Sequence, residues 1–424
     1  MKQSFKAITI GLTLTSSVLM SCTQSETVKY VDRVHIATND SMSSDELATA
    51  AEQLVGPYTF MLAYKTALQA TEKDPTNLKA QFYVRFLKRY EAFRGILNRV
   101  KPVLKPEQIN NLNKSITKIL PNSPLKDFLT DASAAPFTQA SDLQNVIGEY
   151  ITALRDFRSF LKENQSKEMN IYLNPHIFQE AIKNGMNNFC KVTPNGDYST
   201  VDCDYSFVAS KKLNSADMIA LTQMQAGEIL ILGIYNSYSL EGLEKLSEAD
   251  PQHQMSNRER TNFLSNLPNF GKLRKDNIFD LLNSIGADFS AAAKWAMTYQ
   301  QSLCPKQQRV NNQRPGYLFS SGICVENPTE LSRSIALIDQ MLQGITRVDL
   351  RTPNGSVINT SINAFAWSKS PIQDLRQIRP TTWNNCDYAA NLADNSLGGV
   401  FVENNFNLFL NQNCNTFKYT SESN

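Results

Sequence analysis

Six cysteines between residues 190 and 414 constrain the fold of the chain more than any other feature of the sequence. They form three local couples, whose members are separated by 12, 19 and 27 residues: Cys190 and Cys203, Cys304 and Cys324, and Cys386 and Cys414. Cysteines in even number are typical of a disulfide framework in an oxidising compartment, although six of them allow 15 pairings. We predict these three disulfides, each of which would stabilise the fold by roughly 3 to 4 kcal/mol.

A zinc site is the alternative use of these cysteines. The sequence contains no CxxC motif, and the nearest histidine, His176, is 14 residues from Cys190. Structural zinc sites usually take their ligands from closely spaced pairs. We therefore predict no metal ion and no cofactor.

The N-terminus predicts the compartment. Lys2 and Lys6 provide a positive end, residues 7–20 form an apolar run, and the small Ser21 precedes Cys22. These are the parts of an export signal. The run is too short to cross a bilayer, which takes roughly 20 apolar residues.

The segment Leu19-Met20-Ser21-Cys22 resembles the lipobox of bacterial lipoproteins, with Met20 as a departure from the small or hydroxyl residue that is usual there. The resemblance implies that residues 1–21 are a signal peptide and that Cys22 carries the lipid. Thr23 stands where an aspartate would retain such a protein at the inner membrane, so the resemblance implies the outer membrane, facing either the periplasm or the cell surface. An ordinary secretory signal is the alternative interpretation.

Charge argues against two classes of partner. Removing residues 1–21 takes away Lys2 and Lys6 and leaves 40 basic and 40 acidic residues. A nucleic-acid-binding protein is expected to have a strongly basic face, and binding to anionic lipid needs a basic cluster. We predict no nucleic-acid partner, and attachment to the membrane through the lipid on Cys22.

Helical periodicity dominates the region 45–344, after a polar segment, 22–44, that we interpret as a tether or as a short strand formed by Val28, Tyr30, Val31 and Val34. Apolar residues recur at steps of three and four from Tyr83 to Leu104, which predicts one long helix. Its arginines and lysines indicate a solvated face, or a surface for acidic lipid headgroups. Further helices are predicted at 106–120, 141–162, 215–240, 258–264, 277–303 and 328–342.

One β-hairpin is predicted within this helical region. Asn195-Gly196 between alternating residues predicts a β-hairpin insertion near 190–203. The alternative, a calcium site at Asp197, Asp202 and Asp204, lacks EF-hand spacing.

The segment Tyr64-x-x-Ala67-Leu68 through Asp74-Pro75-x-Asn77-x-x-Ala80-x-Phe82 resembles the junction between two tetratricopeptide (TPR) repeats. The resemblance implies antiparallel helix pairs, whereas two helices of an irregular bundle are the simpler interpretation.

The last segment, 345–424, is predicted to be a mixed α/β, loop-rich lobe. Two strands joined by Pro353-Asn354-Gly355-Ser356 form a hairpin, a short helix follows within 371–380, and Cys386 and Cys414 enclose the rest. The fold class is therefore mainly α: an irregular helical-hairpin, TPR-like bundle with small β-hairpins and a disulfide-held C-terminal lobe.

Function is predicted only as a class. The three histidines, His35, His176 and His253, form no metalloprotease motif, and Glu149, Glu228 and Glu241 cannot be distinguished from surface acids. We predict a non-enzymatic, lipid-anchored scaffold that binds an envelope protein or another envelope component. The alternative is a lipoprotein that binds a ligand such as a glycan and feeds a transporter, which is similar to the helical lipoproteins of the SusD-like class. Aromatic residues exposed in the lobe, drawn from Trp367, Trp383, Tyr388 and Phe401, would favour the alternative.

Overall fold

The computed structural model describes 15 stretches of the chain: 29–30, 33–37, 41–55, 59–103, 110, 124–167, 169–173, 190–195, 198–204, 209–213, 215–250, 254–303, 328–351, 357–383 and 389–408. Within them the fold is mainly helical. The helices are α1 Ser44–Gln53, α2 Phe60–Lys73, α3 Leu78–Lys88, α4 Ile96–Arg99, α5 Pro124–Leu129, α6 Ala140–Asn164, α7 Ser215–Asn236, α8 Leu243–Ala249, α9 Asn257–Ser265, α10 Leu282–Leu303, α11 Pro328–Gln343 and α12 Ala366–Lys369. Short 3-10 turns lie at Arg89–Phe93, Lys101–Val103, Phe279–Leu281 and Leu375–Ile378.

The strands are short and pair in antiparallel fashion. They are β1 Lys29–Tyr30, β2 Arg33–Ala37, β3 Tyr172–Leu173, β4 Cys190–Asn195, β5 Tyr198–Asp204, β6 Ala209–Lys212, β7 Thr346–Arg351, β8 Val357–Ile362, β9 Pro380–Trp383 and β10 Ala389–Leu392. Their order is β1-β6-β3, β2-β5-β4, β7-β8 and β10-β9. The hairpins predicted near 190–203 and 345–365 are thus confirmed, and the segment before residue 38 contains two short strands.

The chain divides into two compact units, each made of separate stretches. Unit 1 contains residues 1–138, 149–229 and 298–326, and unit 2 contains 139–148, 230–297 and 327–424. Unit 2 therefore combines residues 139–148, 230–297 and 327–344 with the whole of the predicted lobe, 345–424.

Helices α1 to α3 form the start of unit 1. Ser43 begins α1 with a capping box that includes Glu46, and the side chain of Asn77 accepts a hydrogen bond from Ala80 at the start of α3. The two ends are joined, because Asn77 Nδ2 donates to Asp45 Oδ1 at 2.8 Å. Alanines at the crossings allow close approach; Ala48, Ala51, Ala63, Ala67 and Ala80 are completely buried.

The prediction of one long helix from Tyr83 to Leu104 is wrong, because the helix is not continuous over this segment. The α-helix ends at Lys88, and the chain bends at Gly95, whose φ is +64°. Gly95 N–H donates to Phe128 O at 2.8 Å, and a Cβ at this position would overlap the backbone oxygen of Asp131. Contact with the 128–131 segment, which lies more than 30 residues away, therefore imposes a turn that the periodicity does not reveal.

The arginines of this segment cover aromatic rings. Their guanidinium carbons lie 4.5 to 4.9 Å from ring centroids in four pairs: Arg85 and Phe160, Arg89 and Phe86, Arg94 and Phe128, and Arg99 and Phe137. Such cation–π contacts stabilise a fold by about 0.5–2 kcal/mol each, depending on burial. The arginines thus belong to the packing of unit 1. The predicted solvated face is wrong for Arg89, which is buried, whereas Arg85, Arg94 and Arg99 are half-buried.

Unit 2 has its own core. Trp367 on α12 packs edge-on against Phe279 with ring centroids 5.3 Å apart, and its indole N–H donates to Leu397 O at 3.0 Å. Gly398, at φ +67°, lies directly against Trp367 and Ile372, where no larger residue fits.

Candidate binding groove

A groove with a volume of about 390 Å³ lies between helix α9 and the β9–β10 hairpin of unit 2. This volume is within the range of about 300–1,000 Å³ that is usual for ligand sites. One wall is a single face of α9, and the other comes from the hairpin and its neighbours. The lining residues are Asn257, Arg260, Thr261 and Leu264 on the helix, and Ile378, Pro380, Trp383, Ala389, Leu392 and Phe406 opposite.

The helix wall is held in place by Asp250. Its carboxylate is almost fully buried and accepts hydrogen bonds from the backbone N–H of Gln254 at 2.7 Å and of Met255 at 3.2 Å. Its other oxygen accepts from Nε and Nη2 of Arg260, both at 3.2 Å. Burial acts to raise the pKa of Asp250, but the two backbone donors and the Arg260 guanidinium outweigh it and lower that pKa below its ordinary value.

The pairing with Asp250 changes what Arg260 brings to the groove. Its charge is balanced by the carboxylate of Asp250, which is not among the lining residues, while Arg260 itself lines the groove on the same helix as Leu264. Six of the ten lining residues, Leu264, Ile378, Pro380, Trp383, Leu392 and Phe406, are large and apolar. The arrangement therefore favours an uncharged or apolar group over an ion.

The aromatic residues named from the sequence have different positions. Phe401 is buried in unit 2, with 8% exposure and its ring centroid 5.0 Å from that of Phe406, whereas Trp367 is half-buried and packs against Phe279. Trp383 is half-buried and lines the groove. Tyr388 lies outside the described residues. Among the three residues that the structure describes, Trp383 alone lines the groove, so the three do not form one aromatic cluster there.

A second notable site is a buried polar cluster in unit 1. Arg89 is 6% exposed, and its guanidinium donates to Tyr90 Oη at 2.8 Å and to Gln225 Oε1 at 3.4 Å. Tyr150 Oη donates to Glu228 Oε2 at 3.2 Å. Burial raises the pKa of Glu228 above its ordinary value, although Arg89 and the Tyr150 hydroxyl act to lower it.

The structure distinguishes the three glutamates that the sequence alone does not: Glu149, Glu228 and Glu241. Glu149 and Glu241 are exposed, whereas Glu228 faces the interior beside Tyr150. The Nε atom of Arg89 has no hydrogen-bond partner among the described residues. The sequence signal for the cluster is the interruption of an apolar helix by Gln223, Gln225 and Glu228.

The predicted cysteine sites are only partly described. Cys190 and Cys203 lie directly opposite each other in the register of β4 and β5. Cys22, Cys304, Cys324, Cys386 and Cys414 lie outside the described residues, as do His176 and His253, while His35 lies in β2. The backbone register is compatible with a Cys190–Cys203 disulfide, and all three disulfides remain predictions.

Two other features, a metal site and a membrane-spanning helix, are considered for the described residues alone. Among them there is no group of three or more histidine, cysteine, aspartate or glutamate side chains that could hold a metal ion. One helix, Asp217–Asn236, is long and apolar enough to cross a membrane by length and composition. It also carries buried core residues of the protein, including Leu221, Ala226 and Ile229.

Comparison with known proteins shows no relative: no family model, no curated protein and no solved structure matches the chain.

Proposed function

We propose that the protein is a lipid-anchored, non-enzymatic lipoprotein of the bacterial outer membrane that binds another envelope protein through the unit 2 groove. The groove is the observation that carries this proposal. Its walls are largely apolar, and the charge of Arg260 is already balanced by Asp250. Apolar side chains on a helix or extended segment of a partner fit such a groove.

The TPR-like hypothesis supports the same class of function. The N-cap residues Ser43 and Asn77 are 34 residues apart, which equals the TPR period of about 34 residues. Helices α1 and α2 would then form one repeat and α3 the beginning of the next. Repeats of this type commonly present binding surfaces to other proteins.

Site-specific crosslinking in intact cells tests the groove. A photoreactive amino acid at Leu264 points into the groove, while the same group at the exposed Asn262 lies on the same helix outside the set of lining residues. We expect one envelope protein to be crosslinked from position 264 and not from 262. Equal labelling at both positions, or no protein from position 264, would contradict the proposal.

A charge in the groove provides an independent test. Leu264→Arg places a second guanidinium on an apolar wall, so we expect a loss of partner capture of about tenfold or more, because desolvating an unpaired charge opposes binding. Asn262→Arg adds the same charge outside the groove and should leave capture unchanged. Circular dichroism of both variants checks that α9 remains folded.

Trp383 favours a second candidate function, the binding of a glycan that is passed to a transporter. The indole of Trp383 lines the groove and offers an apolar face, and Thr261 lines the opposite wall. Calorimetric titration with a panel of oligosaccharides should then show binding that Trp383→Ala abolishes and Asn262→Ala preserves. Absence of binding across the panel would remove this candidate and leave the protein partner.

A further inference from the structure

The β7–β8 hairpin of unit 2 has one covered edge, and its other edge has no backbone partner among the described residues; we call it the open edge. Its six residue pairs follow one another without a bulge, from Thr346 opposite Ile362 to Arg351 opposite Val357. On the β8 side, Asn363 N–H donates to Val400 O and Val402 N–H donates to Ser361 O. That side of the hairpin is therefore occupied by the segment around Phe401.

These hydrogen bonds fix the direction of every backbone group in β7. Because the groups of Ser361 point toward Val402, those of Ile362 point toward β7, and Thr346 and Ile362 form a hydrogen-bonded pair. Directions alternate along a strand, so Val348 and Leu350 also bond to β8. The N–H and C=O groups of the odd-numbered residues of β7 point to the open edge, where the described residues supply no backbone partner: Arg347, Asp349 and Arg351.

The side chains at the open edge alternate in charge. Arg347 and Asp349 are exposed and are joined through Asn359, since Arg347 Nε donates to Asn359 Oδ1 and Asn359 Nδ2 donates to Asp349 Oδ1, each at 2.7 Å. Arg351 continues the pattern in the sequence. An open edge of six residues exposes the backbone groups through which a further strand can pair.

We propose that this edge pairs with the same edge of a second copy of the chain, in antiparallel fashion and with Arg347 opposite Asp349 of the other copy. A two-fold axis at Val348 then creates two such ion pairs, one on each side of the axis. The two hairpins become one sheet of four strands, which is more stable than a two-stranded hairpin.

Charge and length together select this register. A two-fold axis at Asp349 places Asp349 opposite itself and Arg347 opposite Arg351, and like charges directly opposite each other are destabilising. An axis at Leu350 pairs Asp349 with Arg351 but aligns only residues 349–351 of each β7. The axis at Val348 aligns residues 346–350 and pairs opposite charges, so it combines the longer overlap with the favourable electrostatics.

Charge reversal tests the register. The full-length chain, purified in detergent, should show twice the monomer protein mass by light scattering with correction for bound detergent. Arg347→Asp or Asp349→Arg alone places like charges opposite each other at two sites and should weaken self-association by about tenfold or more. The double variant Arg347→Asp/Asp349→Arg restores opposite charges and should restore the dimer.

The control is Val402→Asp, which adds a charge to an exposed residue on the covered side of β8 and should leave the dimer unchanged. A wild-type chain that is monomeric at its highest soluble concentration would overturn the proposal. Single reversals that leave the dimer intact, or a double variant that stays monomeric while folded by circular dichroism, would overturn it equally.

Cysteine crosslinking gives an answer even where a charge variant fails to fold. Val348 lies opposite itself at the axis, in a non-hydrogen-bonded pair with a Cα separation of about 4.5 Å, which a disulfide can span. Val348→Cys should therefore produce a disulfide-linked dimer under mild oxidation, beyond any seen in the parent chain. Asp349→Cys should not, and crosslinking through position 349 in preference to 348 would overturn the register.

Discussion

Burial of Glu228 links the stability of unit 1 to pH. The raised pKa means that the folded protein retains a proton on this carboxyl over a range in which the unfolded chain has already released it. The stabilisation is complete below the unfolded pKa, near the ordinary carboxyl value of about 4.3, and is lost as pH rises through the folded pKa. Tyr150 and Arg89 narrow this pH range because both favour the ionised form of Glu228.

We expect Glu228→Gln to remove this part of the pH dependence. Glutamine keeps an oxygen that can accept from Tyr150 Oη and carries no charge to bury, so the variant should lose less stability than the wild type as pH rises above the ordinary carboxyl range. Urea unfolding from pH 4.5 to 8 measures the effect. Glu149→Gln, an exposed neighbour of Tyr150, is the control and should follow the wild-type curve; a Glu228→Gln curve parallel to the wild type would contradict the prediction.

Arg89 provides the second prediction at this scale. Arg89→Met removes a buried cation together with its hydrogen bonds to Tyr90 and Gln225, and leaves Glu228 without its nearest opposite charge. We expect a loss of about 2 to 4 kcal/mol in the free energy of unfolding. Lys88→Met, at the exposed adjacent position, should change it little. A similar result for both variants would show that the cluster contributes no more than a surface charge.

At the scale of elements, Gly95 forms the turn between the segment of α3, which ends at Lys88 and is followed by the 3-10 turn Arg89–Phe93, and helix α4. Its positive φ and its contact with the Asp131 backbone both exclude a side chain. The segment after the turn then packs along 128–137, where Arg94 and Arg99 reach Phe128 and Phe137. The apolar residues before and after the turn therefore pack against the same core from two shorter segments and not from one helix.

Two glycine substitutions test this interpretation. Gly95→Ala should destabilise the protein by at least about 2 kcal/mol, because the left-handed conformation and the backbone overlap both oppose a Cβ. Gly227→Ala is the matched change inside α7, where nothing lies within 4 Å of the added atom, and it should stabilise the protein by up to about 1 kcal/mol. Thermal unfolding of both variants measures the difference, and a neutral Gly95→Ala would show that the turn is not required.

At the scale of the whole molecule, the proposal depends on the lipid at Cys22. Cys22→Ala removes the thiol that the lipobox resemblance assigns to lipid attachment. We expect the variant to be found in the soluble fraction of the envelope, while the wild type is found in the membrane fraction with a mass increase at its processed N-terminus. Cell fractionation and intact mass spectrometry measure both, and unchanged membrane attachment of the variant would refute the anchor. Thr23→Ala, next to the proposed lipidation site, is the control and should remain in the membrane fraction.

Local patterns determined the helical character of this protein and most of its elements. Periodicity placed the predicted helix 141–162 within α6 and 328–342 within α11, and the Asn-Gly turn signals located both predicted hairpins. These signals succeed because helix and strand pairing within a hairpin depend on residues near one another in the chain. The resemblance of the N-terminus to an export signal and the predicted pairing of the cysteines likewise predict a compartment from local spacing.

Only the tertiary structure decided the turn at Gly95, the burial of Arg89 and Glu228, and the groove. Each depends on residues that are distant in sequence: Gly95 meets residues 128–131, Arg89 meets Gln225, and Leu264 faces Trp383 across the groove. The sequence pattern around a charged residue is the same whether its side chain contacts water or an aromatic ring. Its position is decided by which surfaces fold against it, and that information is absent from any single segment.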